Sequence, residues 1–259
     1  MSSPEWLYTA SGFGVGALVG MTGVGGGSLM TPILILLFGI HPASAIGTDL
    51  LYAAGTKAGG AVVHGWNRTV DWRVVGFLAC GSVPAAAVML LILAHYDLSS
   101  RAMQHFLSSA LGVALVVTAL AVIFRPRLVA WLARRVGEPT PATTMILTIA
   151  TGALLGGLVS LTSVGAGALG VPALVALYPR LETRQIVATD IAHAVPLTLV
   201  AGAGHLLLSP IDLTVLGALL LGSLPGIFVG SQLAVRVPDT ALRLALSGVL
   251  VIVGGRLIF

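Results

Sequence analysis

The sequence predicts an all-α fold: a polytopic transmembrane helical bundle of two homologous repeats, each of about four helices with a broken first helix. Three observations predict it: a composition poor in charge, apolar runs of helix length along the whole chain, and an internal match at a nearly constant offset. Hydrophobic residues make up 57% and charged residues 8% of the 259, and mean hydropathy is +1.03. A soluble domain carries roughly 25% charged residues, so lipid is the solvent that suits this surface. Runs of about 20 apolar residues can each cross a ~30 Å hydrocarbon core as a helix. The alternating segments of about 10 residues that mark a transmembrane barrel are absent.

The net charge of +4 comes from scattered arginines, most of them between apolar runs. Membrane topology and anionic headgroups account for that placement, and no nucleic-acid partner is expected. A single cysteine, Cys80, excludes an intrachain disulfide. Met1 to Tyr8 has no basic region ahead of its apolar run and carries Glu5, so a cleaved signal peptide is not expected.

The first apolar run starts near Trp6, is interrupted at Met21–Ser28 and resumes from Leu29 to Phe38. Runs from about Ala43 to Trp66, Val70 to Ala94 and Met103 to Phe124 follow. Residues 1–124 are thus expected to form the first transmembrane repeat. Residues 125–141 read as a basic cytoplasmic linker, with Arg125, Arg127, Arg134 and Arg135 beside Leu128, Val129, Trp131 and Leu132 in a short interfacial helix. Residues 142–259 repeat the plan: a run interrupted at Leu161–Gly167, then Ile186–Leu208, Leu213–Val235 and Ala241–Phe259.

The duplication is read from matched residues. An offset of 140 pairs Gly16 with Gly156, Thr22 with Thr162, Gly25 with Gly165, Gly27 with Gly167 and Pro32 with Pro172. An offset of 141 then pairs Thr48-Asp49 with Thr189-Asp190, His64 with His205, Asp71 with Asp212, Gly81-Ser82 with Gly222-Ser223 and Pro84 with Pro225. If Arg180, Arg184, Arg236 and Arg243 lie on the cytoplasmic side with the linker, Arg68 and Arg73, the repeats are inverted, and each broken segment must be a re-entrant hairpin. If each broken segment is a single crossing, they are parallel. The arginines favour inversion.

The two breaks are the first candidate site. Glycine inside a helix costs about 1 kcal/mol relative to alanine, and a break in hydrocarbon frees backbone groups that lipid cannot satisfy. Matched glycine-interrupted segments in two repeats point to a transporter's binding site. Helix N-termini restarting after the breaks direct N–H groups and dipoles at an anion. The expected substrate-binding residues are Thr22, Gly23, Gly25, Gly26, Gly27, Ser28, Thr162, Ser163, Gly165 and Gly167. The bland alternative is that these glycines only allow close helix packing.

Intramembrane ionisable residues are the second candidate. Asp49, Lys57 and His64 fall within an ~80° arc of one helix, and charges at membrane depth cost roughly 2.5–3.5 kcal/mol each on insertion scales. Asp49 and Lys57 are able to pair. Asp49, Lys57, His64, Asp190 and His205 are expected to couple or gate transport, with proton or other ion coupling. Structural roles compete: the aspartates can bond freed backbone, and the histidines can lie near the interface. Asp71 and Asp212, at helix starts, read as N-caps. Gly165–Gly170 matches a dinucleotide fingerprint by pattern only, since it follows a helix rather than a strand, and no phosphate loop is present. No His/Cys/Glu spacing suggests a metal, no catalytic set stands out, and no cofactor is expected.

The run Gly20-Met21-Thr22-Gly23-Val24-Gly25-Gly26-Gly27 with Pro32, then Gly47-Thr48, His64, Val70-Asp71-Trp72-Arg73 and Gly81/Pro84, resembles the TauE/SafE sulfite-exporter family. Pro172, Thr189, His205, Asp212, Gly222 and Gly226 extend the likeness through the second copy. The resemblance implies a multi-pass transporter of the bacterial inner (plasma) membrane, acting on sulfite, sulfonates or other small sulfur-containing or organic anions. Many members have serine after the Gly-Thr, where this chain has Asp49, with Lys57 downstream. The expected function is a secondary transporter, an exporter, of a small anion, with the lipid bilayer as its surroundings and homo-oligomer formation open. A passive anion channel and a non-transporting membrane enzyme or scaffold are the alternatives.

Overall fold

The computed structural model describes residues 5–22, 27–66, 68–124, 127, 131, 140–234 and 239–259. These form ten helices: α1 (Glu5–Thr22), α2 (Gly27–Leu36), α3 (Pro42–Trp66), α4 (Trp72–Ala94), α5 (Arg101–Ile123), α6 (Pro141–Thr162), α7 (Ala166–Leu177), α8 (Thr183–Leu208), α9 (Leu213–Ala234) and α10 (Asp239–Ile258). No strand occurs among the described residues. Six helices, α4, α5, α6, α8, α9 and α10, are long and apolar enough to cross a membrane. The predicted linker over 125–141 lies almost wholly outside the described residues.

Helix starts are set by local chemistry. The Asp71 carboxylate accepts the backbone N–H groups of Arg73 and Val74 and caps α4. Asp212 accepts those of Thr214 and Val215 at 2.8 and 3.3 Å and caps α9 in the same way. Both are the N-caps expected from sequence.

Lipid supplies no hydrophobic drive to join helices, so small residues that let backbones touch decide the packing. On α1, any side chain at Gly12, Gly16 or Gly20 would overlap the backbone of Leu219, Ser223 or Ile227 of α9. The contacts advance together along both helices, so α1 and α9 run parallel. On α6, Gly152 and Gly156 press in the same manner on Leu78 and Ser82 of α4, and these two helices are also parallel. By contrast, Gly47 near the start of α3 meets His205 near the end of α8, whereas Gly60 meets Ile191 near the start of α8. The two helices that carry the Thr-Asp motifs therefore cross the core antiparallel.

These directions define the broken segments. With α8 and α9 antiparallel across the short 209–212 turn, α1 and α3 point the same way, and α2 must run back between them. Tyr8 at the start of α1 stacks on Phe38, just beyond α2, at a centroid distance of 4.3 Å. In the other half, Thr148 near the start of α6 hydrogen-bonds the Tyr178 hydroxyl, just beyond α7, at 2.8 Å. Among the described residues, each broken segment thus folds back on itself, with a side-chain contact near its open end.

Candidate functional site

The break between α6 and α7 is built by backbone conformations that a helix does not tolerate. Ser163 closes α6 with φ 60°, in the left-handed region, and Gly165 opens α7 with φ 120°. Glycine suits that second value because it has no Cβ to clash. The Thr162 hydroxyl is used within the break: it donates to the Leu158 carbonyl at 2.8 Å and accepts the Val164 N–H at 3.2 Å. No side chain caps the first turn of α7, whose leading N–H groups, around Ala166 and Gly167, have no partner within the helix. The matching break falls at Gly23–Gly26, outside the described residues, as do the side chains of Thr22 and Ser28.

Asp49, in the second turn of α3, is fully buried. Its Oδ2 accepts the Thr31 hydroxyl from α2 and, at 2.9 Å, the Ser163 hydroxyl from the α6 break. One carboxylate therefore ties both hairpins to α3. Asp190, at the same depth in α8, is 2% exposed and receives no hydroxyl donor among the described residues; its Oδ1, like Asp49 Oδ1, is buried without a hydrogen-bond partner. It abuts Gly170 of α7, where any side chain would overlap that oxygen. Beside it, Thr189 accepts the Asp71 N–H at 3.0 Å.

Lys57 lies two turns beyond Asp49 on α3. Both carboxylates act on its charge, yet neither is in direct ion-pair contact with it, so the Asp49–Lys57 pair open to the sequence is not formed. Its side chain stays partly exposed. The cluster is thus two buried carboxylates around one ammonium, inside a bundle whose outside is apolar.

The histidines divide. His205 is fully buried, and its Nε2–H donates to the Ser160 carbonyl at 2.8 Å, joining α8 to α6. His64 sits in the last turn of α3 with Nδ1 3.3 Å from the Thr69 hydroxyl, away from the carboxylates. Sequence reasoning noted His193 as an ionisable residue added in the second repeat but left it out of the candidate site; its Nε2 shares a 2.8 Å hydrogen bond with Ser82 of α4. Nor did it find Tyr52, which donates to Ser223 of α9 at 2.6 Å, or Thr31 and Gly170. A signal existed for two of them: Tyr52 and His193 stand at the 141-residue offset, as Ser82 and Ser223 do.

Residues 8–257 match the sulfite exporter TauE/SafE family, nearly the whole chain from α1 to α10. The chain belongs to that family. It is 38% identical over 248 residues to the probable membrane transporter protein YjnA of Bacillus subtilis (strain 168), covering 95% of this chain and 97% of the relative. It is 27% identical over 243 residues to the probable membrane transporter protein YdhB of the same strain, covering 90% and 92%. No solved structure matches the chain. This TauE/SafE member is therefore a multi-pass membrane transporter, not an enzyme, and its buried Asp49 is bonded to Ser163 at the break after α6.

Proposed function

We propose that this transporter is a secondary carrier, an exporter, of a small oxyanion such as sulfite or a sulfonate, bound near the bilayer midplane where the two breaks meet. In this reading residues 1–124 and 142–259 are two inverted units that rock about the site to give alternating access. Backbone N–H groups at Gly23, Gly25, Gly26, Gly27, Gly165 and Gly167, with the polar side chains of Thr22 and Ser28, hold the anion. Thr162 and Ser163 shape the second break. Asp49, Lys57 and Asp190 tune or couple the cycle, and His64 and His205 bear on gating.

One observation carries this reading: the first turn of α7 has no side-chain cap, and it opens at a break whose Ser163 bonds Asp49, one of the two carboxylates that act on Lys57. Uncapped helix N-termini and a cation at membrane depth both favour negative charge.

The test is uptake of isotope-labelled sulfite into proteoliposomes. A proton gradient should drive accumulation, and Gly26→Leu and Gly167→Leu should each abolish binding measured by calorimetry while the protein stays monodisperse. Flux that follows the anion gradient alone at every pH would identify a channel. Unchanged binding in both variants would remove the site from the breaks.

A further inference from the structure

We propose that Lys57 is the cation that holds the transported anion, and that Asp190, not Asp49, is the carboxyl that carries a coupled proton. The proposal rests on the anion-transport reading above and assigns separate tasks to residues that the repeat makes look equivalent.

The two aspartates differ in their hydrogen bonds. Asp49 receives two hydroxyl donors on Oδ2, from Thr31 and Ser163. Hydrogen bonds to a carboxylate favour its charged form, so of the two aspartates Asp49 is the better accommodated as a carboxylate, although its Oδ1, like that of Asp190, is buried without a hydrogen-bond partner. Asp190 has no such donor among the described residues, and its Oδ1 is buried and partnerless. Sequence explains the asymmetry: Val171 stands 140 residues after Thr31, and Gly23 stands 140 before Ser163, so neither counterpart offers a hydroxyl. A buried carboxyl without donors is most easily accommodated when neutral.

Charge counting then couples the two events. Asp49⁻, Lys57⁺ and Asp190⁻ sum to one negative charge. A monovalent anion arriving at Lys57 would double it, unless Asp190 takes a proton from the adjoining water at the same time. With Asp190 neutral the sum is unchanged. Release on the opposite side returns the anion and the proton together, one of each per cycle, so that export by this step is driven by the anion's own outward gradient. Lys57 is suited to its part because, among the described residues, its ammonium is in no direct ion pair and so keeps its charge for an incoming ligand.

The other charged and titratable groups near Asp190 do not displace it. From α3 come Lys57, Asp49 and the Tyr52 hydroxyl, which is committed to Ser223. On α8 itself, one turn on, His193 has Nε2 committed to Ser82 and Nδ1 without a partner; Arg184 and His205 lie further off toward the two ends of the helix. From α4 come Asp71, engaged as its N-cap, and Arg73 beside it. The packed helices α6 and α7 carry no titratable side chain, and α7 presents Gly170.

The experiment uses the purified full chain in proteoliposomes containing a pH-sensitive dye, with labelled methanesulfonate, a monovalent anion that does not itself buffer near neutrality. Wild-type protein should acidify the lumen as methanesulfonate enters, one proton per anion. Its affinity should fall about tenfold per pH unit once Asp190 ionises in the empty state. Asp190→Asn should lose the acidification and bind methanesulfonate with no pH slope. Lys57→Met should weaken binding at least about tenfold, and Lys57→Arg should recover most of it, because a lost charge rather than lost packing is responsible. His193→Gln should acidify as the wild type does. Should Asp190→Asn not fold, the pH slope of wild-type binding decides. A flat slope, acidification by Asp190→Asn, or Lys57→Met affinity within about twofold of wild type would overturn the proposal while leaving anion transport standing. A wild-type protein that moves neither methanesulfonate nor sulfite would overturn both.

Discussion

The Ser163 hydroxyl donates to Asp49 Oδ2 at 2.9 Å across 114 residues of sequence, joining the break in one half of the chain to the aspartate of the other. Thr31 donates to the same oxygen from α2. A single buried atom thus links two hairpins, the second of which is also tied to α8 by the His205–Ser160 hydrogen bond.

Removing either donor should destabilise the bundle. Thr31→Val and Ser163→Ala are each expected to cost about 1–3 kcal/mol, the range for a lost hydrogen bond to a buried charged group. The double variant should deviate from additivity because the two share an acceptor. Ser163→Gly should cost less than Ser163→Ala by about 1 kcal/mol, since φ at this position is 60° and glycine adopts it freely. Thermal unfolding in detergent checks all four.

Close backbone contact predicts a sharp contrast among glycines. Gly81→Leu, which would overlap Ile149, and Gly222→Leu, which would overlap Thr9, should prevent assembly or lower the melting temperature severely. Gly217→Ala and Gly248→Ala, with nothing near a new Cβ, should be neutral or stabilise by up to about 1 kcal/mol through helix propensity. Size-exclusion profiles and melting temperatures distinguish the two groups.

Tyr52→Phe should cost about 1 kcal/mol, as Ser223 is buried and loses its 2.6 Å partner. Combining it with Ser223→Ala should recover part of that loss, because both polar ends are then gone. A double-mutant cycle on thermal stability measures the coupling.

The helix directions also predict sidedness. One end of the bundle gathers Arg68, Arg73, Arg180 and Arg184, as the Asp71–Thr189 hydrogen bond and the surface pocket lined by Thr144, Tyr178 and Arg180 indicate. The other end brings His41, Asp97, Ser99 and Ser209 around a second pocket. Arginines mark the cytoplasmic side. In a Cys80→Ser background, Ser99→Cys in intact cells should react with a membrane-impermeant maleimide, and Thr69→Cys should react only after the membrane is opened. The reverse pattern would invert the assignment.

Much of this was legible in residues read singly or at fixed spacing. Asp71 and Asp212 were readable as caps because capping is a contact over two or three residues. The break after Thr162 was readable because glycines cluster there at the same place as in the first half of the chain. Thr31 was not readable as a partner of Asp49, because its role depends on a hairpin that folds α2 back along α3. Tyr52 and His193 hold equivalent serines with different chemistry, so the offset that pairs them showed no likeness.

Composition and apolar run length determined by themselves that the chain is an α-helical membrane protein, because the cost of exposing polar backbone and charge to lipid is paid residue by residue. Which way each helix runs, which aspartate gains hydroxyl donors and which is left bare were decided only in three dimensions. Those outcomes depend on groups far apart in sequence, 18 residues for Thr31 and Asp49 and 114 for Ser163 and Asp49, meeting in space, and no local property of either residue encodes such a meeting.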